Sequence, residues 1–221
     1  MRKCGSKPKG KVKIRWSSNF AYGIGLIATD GNLSKNGRHI TFTSKDLEQI
    51  ENFLVSLKIK VFIGRTVSDH KNFYSHRVQF SDVLFYKFLN SIGLFSNKSK
   101  TIGKITVPSK YFFDFLRGCF DGDGTIYSYW DKRWKNSFMF YISFATASFD
   151  FMNWLRFEIK KQLFVSGHVK KDGRGSTYQL TYAKKDSEII LKKMYENVNK
   201  LCLSRKKLKT MSILAIVGKQ L

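Results

Sequence analysis

Acidic residues are scarce in this sequence. It holds 16 Asp and Glu against 40 Lys and Arg, so the formal net charge is +24 and the isoelectric point is near 10.0. A charge of this size needs a polyanionic partner, and nucleic acid is the first candidate. An anionic membrane surface is the alternative partner.

Cysteines are also few, and long apolar runs are missing. Cys4, Cys119 and Cys202 are odd in number and far apart, which excludes a disulfide framework and a zinc pattern and indicates a reducing compartment. No run reaches the about 20 apolar residues of a transmembrane helix, and no apolar segment follows the basic N-terminus as in a secretion signal. We therefore expect an intracellular protein, in a prokaryotic cytoplasm or an organelle, with no membrane partner.

Two apolar stretches that end in Asp-Gly indicate an internal duplication. One ends at Asp30-Gly31 and the other at Asp123-Gly124, with nearly half the chain between them. Each stretch is predicted to form a helix, and the glycine is expected to adopt the left-handed conformation just past the helix end.

Small residues recur at every fourth position along each predicted helix, with Gly25 and Gly118 in the middle of the two series. Residues at this spacing share one helix face, and a face of small residues lets two backbones approach closely. We therefore expect the two helices to pack together and to bring Asp30 and Asp123 to one place.

Two acids at adjacent helix C-termini are electrostatically unfavourable. The partial negative charge of a helix end costs an acid about 0.3–1 kcal/mol, and the two carboxylates also repel each other. A cation between Asp30 and Asp123 would offset both effects, and carboxylate oxygens suit Mg²⁺. Paired carboxylates with metal ions are typical of phosphodiester hydrolysis. For one copy alone, a solvated acid before a helix-ending glycine is the better interpretation.

The second stretch, Leu116 to Gly124, resembles the motif that names the LAGLIDADG homing endonucleases, and Gly23 to Gly31 resembles a weaker first copy. The resemblance covers nearly the whole chain, as a single-chain member with two repeats. The first copy departs from the family pattern, since Gly23 and Ile24 replace the opening Leu-Ala and Ala28 replaces the earlier Asp.

The resemblance implies an α+β fold of two pseudo-symmetric αββαββα repeats. Each repeat is expected to place a four-stranded antiparallel sheet on the DNA side, and the two motif helices are expected to join the repeats. The implied repeats cover residues 1–100 and 101–221, and residues 1–15 are predicted to be a basic arm that contacts phosphates. A disordered solubilising tail is the alternative interpretation of that arm.

The resemblance also implies a site and a reaction. The reaction is Mg²⁺-dependent hydrolysis that makes a staggered double-strand break in a long asymmetric DNA site, catalysed by a monomer. The implied metal site holds Asp30, Asp123, Gly31 and Gly124. Family members place a basic residue near the scissile phosphates, where it can offset developing charge; the candidates here are Lys98 and Lys207, with Lys206 as the alternative to Lys207 and ordinary solvated lysines as the competing interpretation.

Hydrophobic periodicity gives one order of elements twice, independently of the resemblance. Helices are predicted near 18–29, 46–57, 82–93, 109–122, 149–163, 186–199 and 204–217. Strands are predicted near 40–43, 59–67, 73–80, 125–131, 137–146, 165–171 and 176–183. Residues 31–37 are predicted to be a turn and residues 96–107 a polar linker.

Polar side chains on the free faces of the two sheets are candidates for contacts with base edges in the major groove. Strand parity selects Asn32, Ser34, Arg77 and Gln79 in the first repeat, and Lys170, Gln179 and Thr181 in the second. A shift of one residue in the register would invert this choice. An ordinary solvated strand face is the alternative at each position.

Two other functions stay open for a chain of this kind. One is an RNA-binding maturase that assists the splicing of intron RNA, and the other is a non-catalytic DNA-binding regulator of the same fold. Asp30 and Asp123 favour the nuclease, because neither splicing nor binding needs them. The histidines do not cluster in the sequence, and no catalytic histidine is assigned to His39, His70, His76 or His168.

Overall fold

The computed structural model describes residues 10–67, 74–134, 137–173, 175–196 and 201–221. In these residues the helices are α1 (Ser18–Thr29), α2 (Leu47–Leu57), α3 (Val83–Ser91), α4 (Phe112–Asp123), α5 (Phe149–Leu163), α6 (Lys184–Tyr195) and α7 (Ser204–Ile216). The strands are β1 (Gly31–Leu33), β2 (His39–Ser44), β3 (Gly64–Val67), β4 (Tyr74–Ser81), β5 (Gly124–Trp130), β6 (Phe138–Thr146), β7 (His168–Lys171) and β8 (Tyr178–Tyr182). Most of the predicted basic arm and His70 lie outside the described residues.

The strands form two four-stranded antiparallel sheets with the same topology. Their orders are β1-β2-β4-β3 and β5-β6-β8-β7. The registers correspond too, because Gly31 pairs with Phe42 and Gly124 pairs with Phe144. The predicted α+β fold of two αββαββα repeats is confirmed, and α7 follows the second repeat. The boundary between residues 100 and 101 stays a prediction.

The two motif helices form the centre of the core. Residues 20–28 of α1 are all buried, as are residues 112–121 of α4. A helix that is buried on all sides lies inside a protein and not on its surface. No helix in the described part of the chain has the length and apolarity that would let it cross a membrane.

The packing of α1 against α4 depends on two glycines. A Cβ atom on Gly25 would lie 2.9 Å from the backbone N of Cys119 and 2.9 Å from the Cα of Gly118. A Cβ atom on Gly118 would lie 3.0 Å from the Cα of Gly25. The obstructing atoms belong to the backbone, so no side-chain rotation can make room.

We expect Gly25→Ala to destabilise the protein severely. The added methyl group forces the two central helices apart, and overpacking of this kind costs about 3 kcal/mol or more. Chemical denaturation would measure the change in the free energy of unfolding. Gly103→Ala is the control, because a Cβ atom there meets nothing within 4 Å; equal stability of the two variants would contradict the packing argument.

The glycines after the two helices do not adopt the predicted left-handed conformation. Gly124 is extended, with φ −83° and ψ 154°, and Gly31 is the first residue of β1. Among the described glycines, positive φ values occur at Gly37, Gly93 and Gly218. The chain passes directly from helix to strand, and a Cβ atom on Gly31 would lie 2.7 Å from the Cα of Ile27. Glycine is therefore needed at this position for close approach, and not for its dihedral angles.

Three other predictions about local structure need correction. Residues 31–33, predicted as turn, form the short strand β1, and of the predicted strand 59–67 only Gly64–Val67 is a strand. Helix α4 begins at Phe112 and not near 109, because Ser109–Tyr111 forms a 3₁₀ turn before it. The predicted linker is not wholly polar, since Ile102 and Ile105 lie in the core.

Candidate active site

Asp30 and Asp123 lie at the C-terminal ends of the two packed helices. Asp30 caps α1 and Asp123 is the last residue of α4. The close approach of the helix ends is shown at Gly122, where a Cβ atom would lie 2.8 Å from Oδ2 of Asp30. Burial and the neighbouring Asp123 charge raise the pKa of Asp30 from 3.8 to about 6, and burial raises the pKa of Asp123. Asp30 is half-buried and Asp123 is exposed, so the two carboxylates lie together where the packed helix ends meet solvent.

Two buried lysines cap the same helix ends. Lys98 Nζ donates to the carbonyl oxygens of Gly31 at 2.6 Å and Thr29 at 3.4 Å. Lys206 Nζ donates to the carbonyl oxygen of Gly124 at 2.6 Å and to three carbonyls of the last turn of α4. Burial lowers the pKa of each lysine to about 8. Each repeat thus supplies one aspartate and one lysine in matching positions.

Lys206, and not the predicted Lys207, occupies this position in the second repeat. Lys206 is 8% exposed, whereas Lys207 lines a separate surface pocket of α7 with Tyr195 and Met211. Successive residues of a helix point about 100° apart, so only one of two adjacent lysines can face the site. In the first repeat, Lys98 lies in a 3₁₀ turn, Lys98–Lys100, whereas Lys206 lies in the α-helix α7. Because the local structures differ, the sequence alone could not show which lysine of the second repeat corresponds to Lys98.

Gln49 belongs to the site and was missed by sequence reasoning. Its side chain is buried, and Nε2 donates to Oδ2 of Asp30 at 3.3 Å and to the carbonyl of Asp121 at 3.2 Å. Ser44 Oγ donates to Gln49 Oε1 at 2.6 Å and fixes the amide. Counted from the end of the preceding strand, Phe151 takes this position in the second repeat, so the two halves of the site differ. A polar residue next to the apolar face of α2 was the only signal in the sequence.

Asp121 is a second missed residue, with a positioning role. Its Oδ2 accepts from Tyr22 Oη of α1 at 2.9 Å and from the backbone N of Leu203 at 2.7 Å. Burial raises the pKa of this carboxyl to about 6. Because Leu203 directly precedes α7, Asp121 holds the start of the helix that carries Lys206.

The segments that carry the two lysines each dock onto the opposite repeat. At the start of α7, Ser204 N donates to Glu48 Oε1 of α2 at 3.0 Å, and Arg205 pairs with Asp46 at 2.9 Å. Four residues after Lys98, at the junction between the repeats, the carbonyl oxygen of Ile102 accepts a hydrogen bond from Ser148, the N-cap of α5. These crossed contacts tie the lysine positions to the interface between the repeats.

The donor set of this site fits magnesium. No group of three or more His, Cys, Asp or Glu side chains occurs in the described part of the chain, so the residues offer two carboxylates and nearby backbone carbonyls. Mg²⁺ is commonly held by one or two carboxylates, water and substrate phosphates. The carbonyls of Gly31 and Gly124, predicted to belong to the metal site, accept lysine hydrogen bonds here.

The predicted base-contacting residues of the first repeat lie on the free face of its sheet. Asn32 pairs with Thr41 and Thr41 pairs with Gln79, which forms one row across three strands. Arg77 and Gln79 are exposed, and Arg77 Nη2 donates to Gln79 Oε1 at 2.6 Å. Ser34 is half-buried in the β1–β2 turn, where its N donates to the carbonyl of His39 at 3.0 Å.

The candidates of the second repeat also share one face. Lys170 pairs with Gln179, and both are exposed. Thr181 pairs with Ser143, and its Oγ1 donates to Ser143 Oγ at 3.3 Å. Strands β1 and β5 each begin at the residue after a site aspartate, so both free faces start at the candidate active site. The role of these side chains in binding stays a prediction.

Comparison with known proteins identifies solved structures that share this architecture. No protein-family model and no curated protein sequence matches the chain. Among solved structures, the homing endonuclease I-WcaI bound to its DNA recognition sequence is similar, with a TM-score of 0.61, 18% identity, and coverage of 87% of this chain and 86% of that one. The I-LtrWI LAGLIDADG homing endonuclease bound to target DNA gives a TM-score of 0.61 and 12% identity, with 91% of each chain covered.

Full-length WhiA from Thermatoga maritima is also similar, with a TM-score of 0.56 and 16% identity. That match covers 93% of this chain, which spans 62% of the WhiA chain. The chain therefore has the LAGLIDADG fold, as its two motifs predicted. Because homing endonucleases and WhiA share this fold at low identity, the likeness establishes the architecture and not a reaction.

Proposed function

We propose that this protein is a site-specific DNA endonuclease that acts as a monomer and makes a staggered double-strand break in a long asymmetric site. The observation that carries the proposal is the convergence of Asp30 and Lys98 from one repeat with Asp123 and Lys206 from the other. The fold that the chain shares with DNA-bound homing endonucleases supports this assignment.

Binding would depend on the large positive charge and on the two free sheet faces. A net charge of +24 attracts the phosphate backbone, and the affinity should fall steeply with salt as counterions are released. The sheets would lie in the major groove, where side chains such as Arg77 and Gln79 can hydrogen-bond to base edges. Since the repeats differ in sequence, the target should be asymmetric.

The four charged groups of the site would have different roles in the reaction. Asp30 and Asp123 would hold Mg²⁺, which supplies an activated water and stabilises charge on the phosphate. Lys98 and Lys206 place two positive charges beside the carboxylates, where they can offset the charge that develops on a scissile phosphate. Gln49 holds the carboxylate of Asp30 in one orientation. The thiol of Cys119 is buried and its pKa is raised, so it is no candidate nucleophile.

A cleavage screen tests this function directly. The purified chain is incubated with a plasmid library of random inserts in Mg²⁺ or in EDTA, and linear products are sequenced at their ends. We expect cleavage in Mg²⁺ only, at one family of related sites with a fixed stagger. Salt-dependent binding without cleavage of any insert would contradict the nuclease and favour a non-catalytic DNA-binding protein.

A further inference from the structure

Three stacked tyrosines stand on the free face of the second sheet. Tyr127 of β5 pairs with Tyr141 of β6, with ring centroids 5.3 Å apart and planes 14° apart. Tyr129 also stacks against Tyr141, with ring centroids 6.0 Å apart and planes 10° apart. We call Tyr127, Tyr129 and Tyr141 the tyrosine ladder.

The ladder is exposed although it is largely apolar. Tyr127 is 42% and Tyr129 is 45% exposed. Met139 pairs with Tyr129 on the same face and adds apolar surface. The hydrogen bond to Tyr129 raises the pKa of Tyr141 to about 12, so the Tyr141 ring stays uncharged at physiological pH. Exposed apolar patches of this kind mark surfaces that bind partners.

The first sheet has no such ladder at the matching positions. Counting from the paired residues that follow each aspartate, Tyr127 corresponds to Ser34 and Tyr141 corresponds to His39. These residues are polar and their backbones close a short turn, with Ser34 N donating to His39 O. The two free faces therefore offer different chemistry, hydrogen-bonding in the first repeat and aromatic in the second.

The ladder lies at a definite distance from the candidate active site. Strand β5 begins at Gly124, next to Asp123. At about 3.3 Å per residue, Tyr127 lies about 13 Å and Tyr129 about 20 Å along the strand from Asp123. With about 3.4 Å per base step, these distances correspond to roughly four to six base pairs.

We propose that the tyrosine ladder selects thymine about four to six base pairs from the cleavage position, in the half-site bound by the second repeat. The phenol rings would contact the C5-methyl groups that thymine alone presents in the major groove. The inference rests on the proposed function, since it requires this face to lie in the major groove of DNA.

A binding experiment tests the ladder separately from cleavage. Duplexes that bind the full chain are selected from a random library in EDTA, and the Gln79→Ala variant shows which half-site the first repeat contacts. Thymines in the other half-site are then replaced one at a time by deoxyuridine, which lacks only the methyl group. We expect each replacement at a contacted position to weaken binding about fourfold.

Variants of the ladder provide the matched comparison. Tyr141→Phe keeps the ring and should keep the sensitivity to deoxyuridine, whereas Tyr141→Ser should lose it. Circular dichroism would confirm that both variants fold. A selected motif without thymine in the second half-site, or one indifferent to deoxyuridine, would overturn the inference while leaving the endonuclease intact. Failure to enrich any sequence would overturn the proposed function as well.

Discussion

Asp30→Asn is expected to lower the cleavage rate about a thousandfold or more and to make the metal-free protein more stable at pH 7. The rate falls because one of the two carboxylates is lost. The stability rises because a partly buried charge that repels Asp123 is replaced by a neutral side chain of the same shape. Single-turnover cleavage and chemical denaturation would measure the two effects on one preparation.

The stability effect has a defined pH dependence. Because the folded-state pKa of Asp30 is about 6 against an ordinary 3.8, the folded protein binds protons more tightly than the unfolded chain. Stability from this group is therefore present below pH 4 and is lost as the pH rises towards 6. Asn at this position should stabilise by about 2 kcal/mol at pH 7 and by close to nothing at pH 4.

The exposed Asp150 at the start of α5 provides the control for this variant. Asp150→Asn removes one acid without touching the site, so cleavage should be unchanged and stability should move by no more than about 0.5 kcal/mol. An Asp30→Asn protein that cleaves at the original rate would contradict the catalytic role of this carboxylate, and one that is less stable at pH 7 would contradict its partial desolvation.

Lys206→Met should slow cleavage about a hundredfold, whereas Lys207→Met should change it by no more than a few-fold. Lys206 Nζ reaches the carbonyl of Gly124 beside Asp123, and Lys207 lies on another face of α7. Methionine keeps most of the apolar part of the lysine chain and removes its charge and its hydrogen-bond donors. Cleavage assays under saturating protein would compare the adjacent positions.

Lys98→Met completes that comparison in the other repeat. Because Lys98 caps α1 as Lys206 caps α4, the two variants should be impaired to a similar extent, and both should still bind the target. A larger loss in Lys207→Met than in Lys206→Met would return the role to the residue predicted from sequence and contradict the geometry of α7.

The repeated architecture could be predicted because it depends on local patterns. Helix α5 was predicted over 149–163 and spans Phe149–Leu163, since its N-cap and its apolar spacing are both local signals. The close packing of α1 and α4 was expected from Gly25 and Gly118, whose spacing is also local. The glycines after the two aspartates were correctly predicted to be needed. The predicted reason was conformational freedom, whereas the actual reason is close contact with Ile27 and Phe120.

The site residues that could not be predicted from the sequence are set by contacts between distant segments of the chain. Gln49 is held between Asp30 and Asp121, which lie in different repeats, and no sequence spacing indicates that arrangement. Lys206 and Lys207 could not be separated, because the facing residue is decided by how α7 docks onto α2 of the other repeat. In both cases the tertiary packing decides which of several chemically suitable residues faces the site.

The central claim is that one chain completes the catalytic site from its two repeats. Mixing the Asp30→Asn and Asp123→Asn proteins in equal amounts on a cleavable target tests it most directly. If each chain builds its own site, the mixture stays as inactive as either variant alone. Recovery of a substantial fraction of the original cleavage would show that Asp30 of one chain works with Asp123 of another, and would contradict the account.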